Sequence, residues 1–338
     1  MENLPESPFS DTTSPSSPSS PSLYKTSSST YSTVVTQQIL PDLGYLTPNQ
    51  LVLLLHDVKH REDAIDQLLI KKLHTCKDLA PLLWNSSSAV YMLLLDVIGV
   101  YHKLSPSKLS MKESTRVCKA LALFQVLADN PETRKGLIKA KIPCYFYPLL
   151  KPSGDDKPLE YLRLTTLGVL GSLTEFDDPN GPLVLHFFLE TEMVPLCLAC
   201  MDHCDELSQK VATLILMKIL MQEKGMTYCC DGADRFFSIV QVLNRVVEKL
   251  SKKPCWLQLK YVIQCYISFS EVLWLHGPCD VLKKQVPPQL FDKTFKDILR
   301  DDHETTWALQ VLHFNIYGRL NVSQIKESNI IANKDTVW

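Results

Sequence analysis

The sequence predicts an all-α chain of stacked helical repeats, an α-solenoid, preceded by a disordered tail. Three observations carry this. First, LEYLRLTTLGVLGSLT, Leu159 to Thr174, is apolar or small at almost every position from Leu164 to Leu173, which only a helix enclosed on several sides tolerates. Second, the pattern recurs. Sliding it forward by 47 residues places Leu164, Leu167, Val169, Leu170 and Leu173 on Val211, Leu214, Leu216, Met217 and Leu220, and sliding it back by 46 places the last four on Leu121, Leu123, Phe124 and Leu127. Third, Ile142-Pro143 and Val194-Pro195 stand at nearly the same distance ahead of the next buried helix. A period of 46 to 47 residues with helices in each unit is the signature of HEAT or armadillo arrays. The predicted fold is therefore an armadillo/HEAT-like solenoid. Gly168 and Gly171 each cost a helix roughly 1 kcal/mol relative to Ala, so a close approach of a neighbouring backbone is expected at both.

Composition agrees. The 338 residues hold 11 glycines, about half the usual ~7% share, which favours helices joined by short turns over Rossmann loops. Lys plus Arg at 35 against Asp plus Glu at 37 leaves no global attraction to nucleic acid or a membrane surface. Eleven cysteines, most of them in apolar helical runs and with no secretory signal ahead, read as reduced thiols of the cytoplasm or nucleus. No apolar run reaches the ~18 residues of a membrane span, so no membrane partner is expected.

In chain order, residues 1–46 are rich in Ser, Thr and Pro and cannot bury enough surface to offset chain entropy. Ser7-Pro8, Ser14-Pro15, Ser17-Pro18 and Ser20-Pro21 there have the form of proline-directed kinase acceptors. The repeat domain is expected over 47–313. Thr47-Pro48 opens it as an N-cap with proline in the first helical position, and Ser105-Pro106, Asn130-Pro131, Lys157-Pro158 and Lys253-Pro254 repeat the device. Helices are predicted near 48–58, 61–73, 86–103, 112–128, 131–140, 143–150, 159–175, 182–190, 194–203, 206–222, 233–251, 255–270 and 293–313. After His313 the periodicity fades, and 314–338 reads as a polar tail.

Catalytic and metal-binding patterns are scarce. Cys197, Cys200, His203 and Cys204 fall on one predicted helix, whereas a closed zinc site usually draws two pairs from separate segments; small core cysteines explain the spacing better. His56 and His60 sit four apart on a helix face as in zinc proteases, but Asp57 stands where the Glu would be and no third ligand follows. There is no phosphate-cradling GxxxxGK[ST], GxGxxG or GxSxG. No cofactor, metal or enzymatic activity is expected. A solenoid offers a groove instead. Arg163, Lys210 and Lys218 interrupt otherwise apolar helices and Arg235 precedes the next, so these bases are expected to share a groove for peptide or nucleic acid, with Val211 at the edge of its apolar stripe.

Seven stretches in order, DLAPLLW, RVCKALALFQVLADNPETR, IPCYFYPLL, EYLRLTTLGVLGSL, TEMVPLCL, ELSQKVATLILMKIL and QLFDKTFKDILRDD, resemble the "required for cell differentiation" family, the armadillo-repeat subunit of the CCR-NOT messenger-RNA deadenylase complex. The resemblance implies a non-enzymatic adaptor of the cytoplasm and nucleus. Its implied partners are the NOT scaffold subunit, helical or tryptophan-bearing motifs of RNA-binding proteins, a second copy in a homodimer and, in an alternative reading, nucleic acid in a concave basic groove. It places scaffold binding on Asn85, Tyr91, Leu94 and Ile98.

The chain also departs from the family's pattern, as a diverged paralogue would. Asn85 stands at a His position and Tyr91 where a small Ala is usual, which implies weakened scaffold docking. Ala233, Arg235 and Phe236 occupy a tryptophan-accepting pocket from which the family's tyrosine ring is missing, implying a weakened pocket. CYISFSEVLWLHGPCDVLKKQ replaces a segment richer in arginine.

Overall fold

The computed structural model describes residues 43–74, 78–152, 156–276 and 280–332. The Ser-Pro pairs of the expected N-terminal tail lie outside them.

In chain order the helices are α1 (Pro48–Leu54), α2 (Arg61–His74), α3 (Leu79–Asn85), α4 (Ser87–Ile98), α5 (Met111–Asp129), α6 (Pro131–Lys139), α7 (Lys157–Ser172), α8 (Gly181–Glu190), α9 (Met193–His203), α10 (Glu206–Leu220), α11 (Glu223–Cys230), α12 (Ala233–Lys252), α13 (Trp256–His276), α14 (Asp280–Lys283) and α15 (His303–Ala332). Short 3-10 segments include Tyr101–Lys103, Ile142–Leu150 and Pro288–Leu290. No strand occurs among the described residues.

Local chemistry sets the helix starts. Thr47 with Gln50, and Ser110 with Glu113, form reciprocal capping boxes that satisfy backbone donors at the first turns of α1 and α5. Asn130 and Asp205 cap α6 and α10 by accepting from backbone N–H groups. The segment predicted as a helix over 143–150 is instead a 3-10 turn, because Pro148 inside it has no N–H to return to the preceding turn.

The helices pack in three rows, four central repeats each supplying one element to each row. α3, α6, α8 and α11 make the first row; α4, the 3-10 segment Ile142–Leu150, α9 and α12 the second; and α2, α5, α7, α10, α13 and α15 the third, which is the spine. Three elements per unit is the armadillo form. The spine helices α5, α7, α10, α13 and α15 begin at residues 111, 157, 206, 256 and 303, intervals close to the sequence period, so the repeat read from the sequence is the stacking unit. Polar bonds across the spine keep that interval: Gln125 Nε2 donates to Ser172 Oγ at 3.2 Å, Gln258 Nε2 to Thr213 Oγ1 at 3.3 Å, and Asn315 Nδ2 to Ser270 Oγ at 2.9 Å. Each satisfies a polar group within a spine whose remaining contacts are mostly apolar.

Arginines, Arg134 buried and Arg61 half-buried, bolt the repeats together. Arg134 donates through Nε to the Ala128 carbonyl at 2.7 Å and pairs with Asp178 of the next repeat. Arg61 uses the same reach, donating to the Leu55 carbonyl at 2.7 Å and pairing with Asp96 on α4 at 3.5 Å.

Three expectations are corrected. A Cβ at Gly168 would meet nothing nearer than Gln125 Oε1 at 3.7 Å, so no close backbone approach requires that glycine. The last predicted helix begins at His303 rather than 293, with Asp302 capping it through Thr305. It also runs through the segment expected to be a loose tail, ending at Ala332, with Leu312 and Ile316 buried on α13.

Candidate partner-docking surfaces

α4 is apolar on two sides. Ala89, Val90, Leu93 and Val97 recur at helical spacing and are buried in the core. On the other side Tyr91 is 56% exposed and Leu95 41%, with Leu94 and Ile98 half-buried beside them. These four repeat at i, i+3, i+4 and i+7, a continuous stripe on one helix face. Asn85 is exposed at the end of α3. The structure thus brings Tyr91, Leu94 and Ile98 onto one surface, and Leu95, which the family resemblance does not single out, joins them.

Neighbouring groups hold this face rigid. The Tyr101 hydroxyl donates to the carbonyl of Tyr145, itself 44% exposed, which joins the end of α4 to the 3-10 segment of the next repeat. On the hidden side, Asp96 pairs with Arg61 at 3.5 Å and Arg116 at 4.0 Å, tying α4 to α2 and α5. Burial pushes the Asp96 carboxyl above its usual range, with the two arginines opposing the shift.

The expected basic groove does not form from the predicted residues. Arg163 is 1% exposed; its Nη2 donates to the Lys151 carbonyl at 3.3 Å and Nη1 lies 3.7 Å from Asp205. It is an inter-repeat bolt, because loops on both sides of α7 supply its partners. Val211 is 3% exposed and belongs to the core, since α10 is flanked by spine neighbours on both sides. Lys218 does reach the open side of the spine, where it pairs with Glu175 at 2.9 Å. Lys119 with Asp66 at 2.7 Å and Lys260 with Glu304 at 3.0 Å are neutralised in the same way. Lys210 is half-exposed. Between these charges Leu164 and Met217 are partly exposed, and Trp256 and Trp307 stand open at 53% and 66%. The result is a mixed, charge-balanced surface.

The three residues of the expected tryptophan pocket diverge. Phe236 is buried, edge-to-face with Phe237 and Phe269, while Ala233 is exposed in the first turn of α12. Arg235 lies with its guanidinium carbon 3.9 Å over the Tyr228 ring and donates to the Tyr228 and Asp231 carbonyls. A ring is therefore present, supplied by α11 rather than by position 233. Sequence reasoning missed it because no helix was predicted there.

The histidines of the first repeat separate. His56 hydrogen-bonds Ser88 at 2.5 Å, whereas His60 pairs with Asp57. Among the described residues no group of three or more His, Cys, Asp or Glu side chains is placed to hold a metal.

The sequence profile of the cell differentiation family, Rcd1-like, matches residues 51–316. The chain belongs to that family. Its match starts within α1 and ends at buried Ile316, so it covers the repeat stack. Among relatives, Cell differentiation protein rcd1 of Schizosaccharomyces pombe is 40% identical over 264 residues, covering 78% of this chain and 91% of that protein. Protein CAF40 of Saccharomyces cerevisiae is 41% identical over 226 residues, 67% of this chain and 59% of its own length. The crystal structure of an engineered protein aligns with a TM-score of 0.54 at 16% identity, covering 81% of this chain and 99% of the other; that likeness concerns the fold alone.

Proposed function

We propose that this Rcd1-like chain is a non-catalytic adaptor subunit of the CCR-NOT complex, acting in messenger-RNA deadenylation and decay and in transcriptional regulation, in both cytoplasm and nucleus. The NOT scaffold subunit docks on the α4 face, and regulatory proteins bring helical or tryptophan-bearing motifs to the open side of the spine. The observation that carries this reading is the outward stripe of Tyr91, Leu94, Leu95 and Ile98 on a helix whose opposite side is already committed to the core. A stripe of that kind is the type of surface that marks an interaction site, and burying the exposed parts of its aliphatic members Leu94, Leu95 and Ile98 contributes on the order of 1 kcal/mol per side chain. Family membership supports the choice of partner.

The test is affinity capture of the full chain from cells, followed by mass spectrometry. Recovery of CCR-NOT subunits by wild type and their loss with Leu95→Glu, a surface change that leaves the fold intact, is the expected result. Absence of those subunits from the wild-type capture overturns the reading. Nucleic-acid binding in a basic groove gains little support, because Arg163 is buried and Lys119, Lys218 and Lys260 are paired with acids.

A further inference from the structure

Two indole rings stand open on the spine. Trp256, the first residue of α13, is 53% exposed and Trp307 of α15 is 66% exposed, and neither indole N–H has a hydrogen-bond partner among the described residues. Between them Lys260 of α13 pairs with Glu304 of α15 at 3.0 Å. Trp256 lies one turn before Lys260 and Trp307 one turn after Glu304, so each ring shares a helix face with one member of the pair. Their backbones are offset by one interaxial spacing of about 9 Å and by about 10 Å along the helix axes. A docked helix requires a continuous apolar stripe, and here paired charges interrupt it. Two separated rings, each offering an apolar face and a free donor, suit an extended proline-rich strand instead: its pyrrolidines pack on aromatic faces, and its carbonyls carry no internal hydrogen bonds.

The chain carries such a strand. Ser14-Pro15-Ser16-Ser17-Pro18-Ser19-Ser20-Pro21 has a proline at every third position, and a polyproline II helix has three residues per turn, so Pro15, Pro18 and Pro21 fall on one face about 19 Å long. No charged residue stands between Asp11 and Lys25, so the strand brings no charge to a surface whose Lys260 and Glu304 already neutralise each other. Its attachment point is also suitable. Pro21 stands 22 residues before Leu43, where the described chain begins in a 3-10 turn against α2, with Lys71 donating to the Gly44 carbonyl at 3.1 Å. That length spans about 70 Å when extended, whereas five steps along the spine from α2 to α15, at about 9 Å each, cover about 45 Å. The prolines therefore reach both tryptophans, and tethering raises their local concentration towards the millimolar range.

We infer that the proline repeat of this chain's own N-terminal segment, Pro15 to Pro21, docks across Trp256 and Trp307. Prolines of the repeat lie on the two ring faces, and the indole N–H groups donate to carbonyls of the strand. The docking does not depend on the adaptor reading. Where that reading brings regulatory motifs to the open side of the spine, the proline repeat is a competitor already attached to the chain.

The experiment labels the full chain with 5-fluorotryptophan and records fluorine NMR spectra, with Trp256→Phe and Trp307→Phe identifying the two resonances. Replacing Pro15, Pro18 and Pro21 together by alanine is expected to move both, to leave in place that of Trp84, which packs on Gly136 in the first row, and to do so at every protein concentration. A peptide of residues 12–24 added to the triple variant should restore the wild-type positions, and Trp256→Ala or Trp307→Ala, both surface changes, should weaken its binding by about tenfold or more. Resonances that ignore the proline substitutions, or equal peptide affinity with and without the rings, would overturn the docking and leave the tryptophans to another partner. A wild-type shift that disappears on dilution would assign the site to the N-terminal segment of a second copy and overturn the intramolecular contact. Capture of CCR-NOT subunits tests the adaptor reading separately.

Discussion

Gly136 lies against the indole of Trp84 so closely that a Cβ there would stand 2.2 Å from Cζ2. The contact joins α3 to α6, neighbours in the first row, and fixes how the first two repeats stack beside the α4 face. Gly136→Ala gains about 1 kcal/mol of helix propensity and loses about 1 to 3 kcal/mol to overpacking. Net destabilisation is expected, larger for Gly136→Val, with partial recovery when Trp84→Leu is added. Urea denaturation midpoints check it; a higher midpoint for Gly136→Ala would mean that the indole moves aside freely.

Val211 offers a contrasting case, because it looked like a groove residue and is a core residue. Val211→Glu places a carboxylate at a site 3% exposed, where an unpaired charge costs several kcal/mol. The variant is expected to lose its cooperative thermal transition, or to lower its midpoint by on the order of 10 °C, which is what such a cost implies for a domain of this size. Met217→Glu, on the half-exposed side of the same helix, should keep the wild-type transition while perturbing binding of a helical motif. A normal melt for Val211→Glu would return that residue to the surface.

The contrast shows what the sequence can convey. Long spine helices were legible because their apolar period persists over four or five turns and returns every 46 to 47 residues. α3 and α11 were not, being seven and eight residues long, too short for a period to declare itself. The side of a helix facing solvent was harder still. α10 is nearly as apolar on its half-exposed face, at Leu214 and Met217, as on its buried one, so only the stacking decides that Val211 points inward. Arg163 was misread for a related reason: its partners come from loops before and after α7, and no local pattern announces them. Tyr228 was missed as the ring beneath Arg235 because its helix was missed. The stripe on α4 was readable through the family resemblance, since its spacing alone fits a buried helix equally well.

Acid should expose the cap of α5. Hydrogen bonds from Lys103 and then Ser110 hold the Glu113 carboxyl down at about 2, against a reference of 4.5. The folded value lies below the unfolded one, so the contribution of Glu113 is fully present above roughly 4.5 and is lost as pH falls towards 2. Glu113→Gln is expected to melt below wild type at neutral pH and to converge with it as pH drops through that window. Parallel melting curves down to the acid end would show that the carboxylate is not what closes the capping box.

The last prediction concerns Tyr91, the bulkiest member of the proposed scaffold-docking stripe. Its ring is 56% exposed and stands between Asn85 and the half-buried Leu94, in the space a helix laid along α4 would occupy. Leu94, Leu95 and Ile98 form a low apolar surface, and a phenol rising from its first turn holds a partner helix away from the other three. The remaining contacts then lose close packing, which matters because dispersion falls steeply with a gap of even 1 Å. Removing the ring lets the partner settle onto the leucines and Ile98. Tyr91→Ala is therefore expected to tighten binding of a typical NOT scaffold fragment at least tenfold, about 1.4 kcal/mol, with Leu95→Glu abolishing it in either background. Calorimetric titration of the variants with that fragment makes the measurement. Tight binding by the wild type that Tyr91→Ala leaves unchanged or weakens would show that the scaffold receives the ring in a pocket of its own, and Tyr91 would then be an anchor of the interface rather than an obstacle to it.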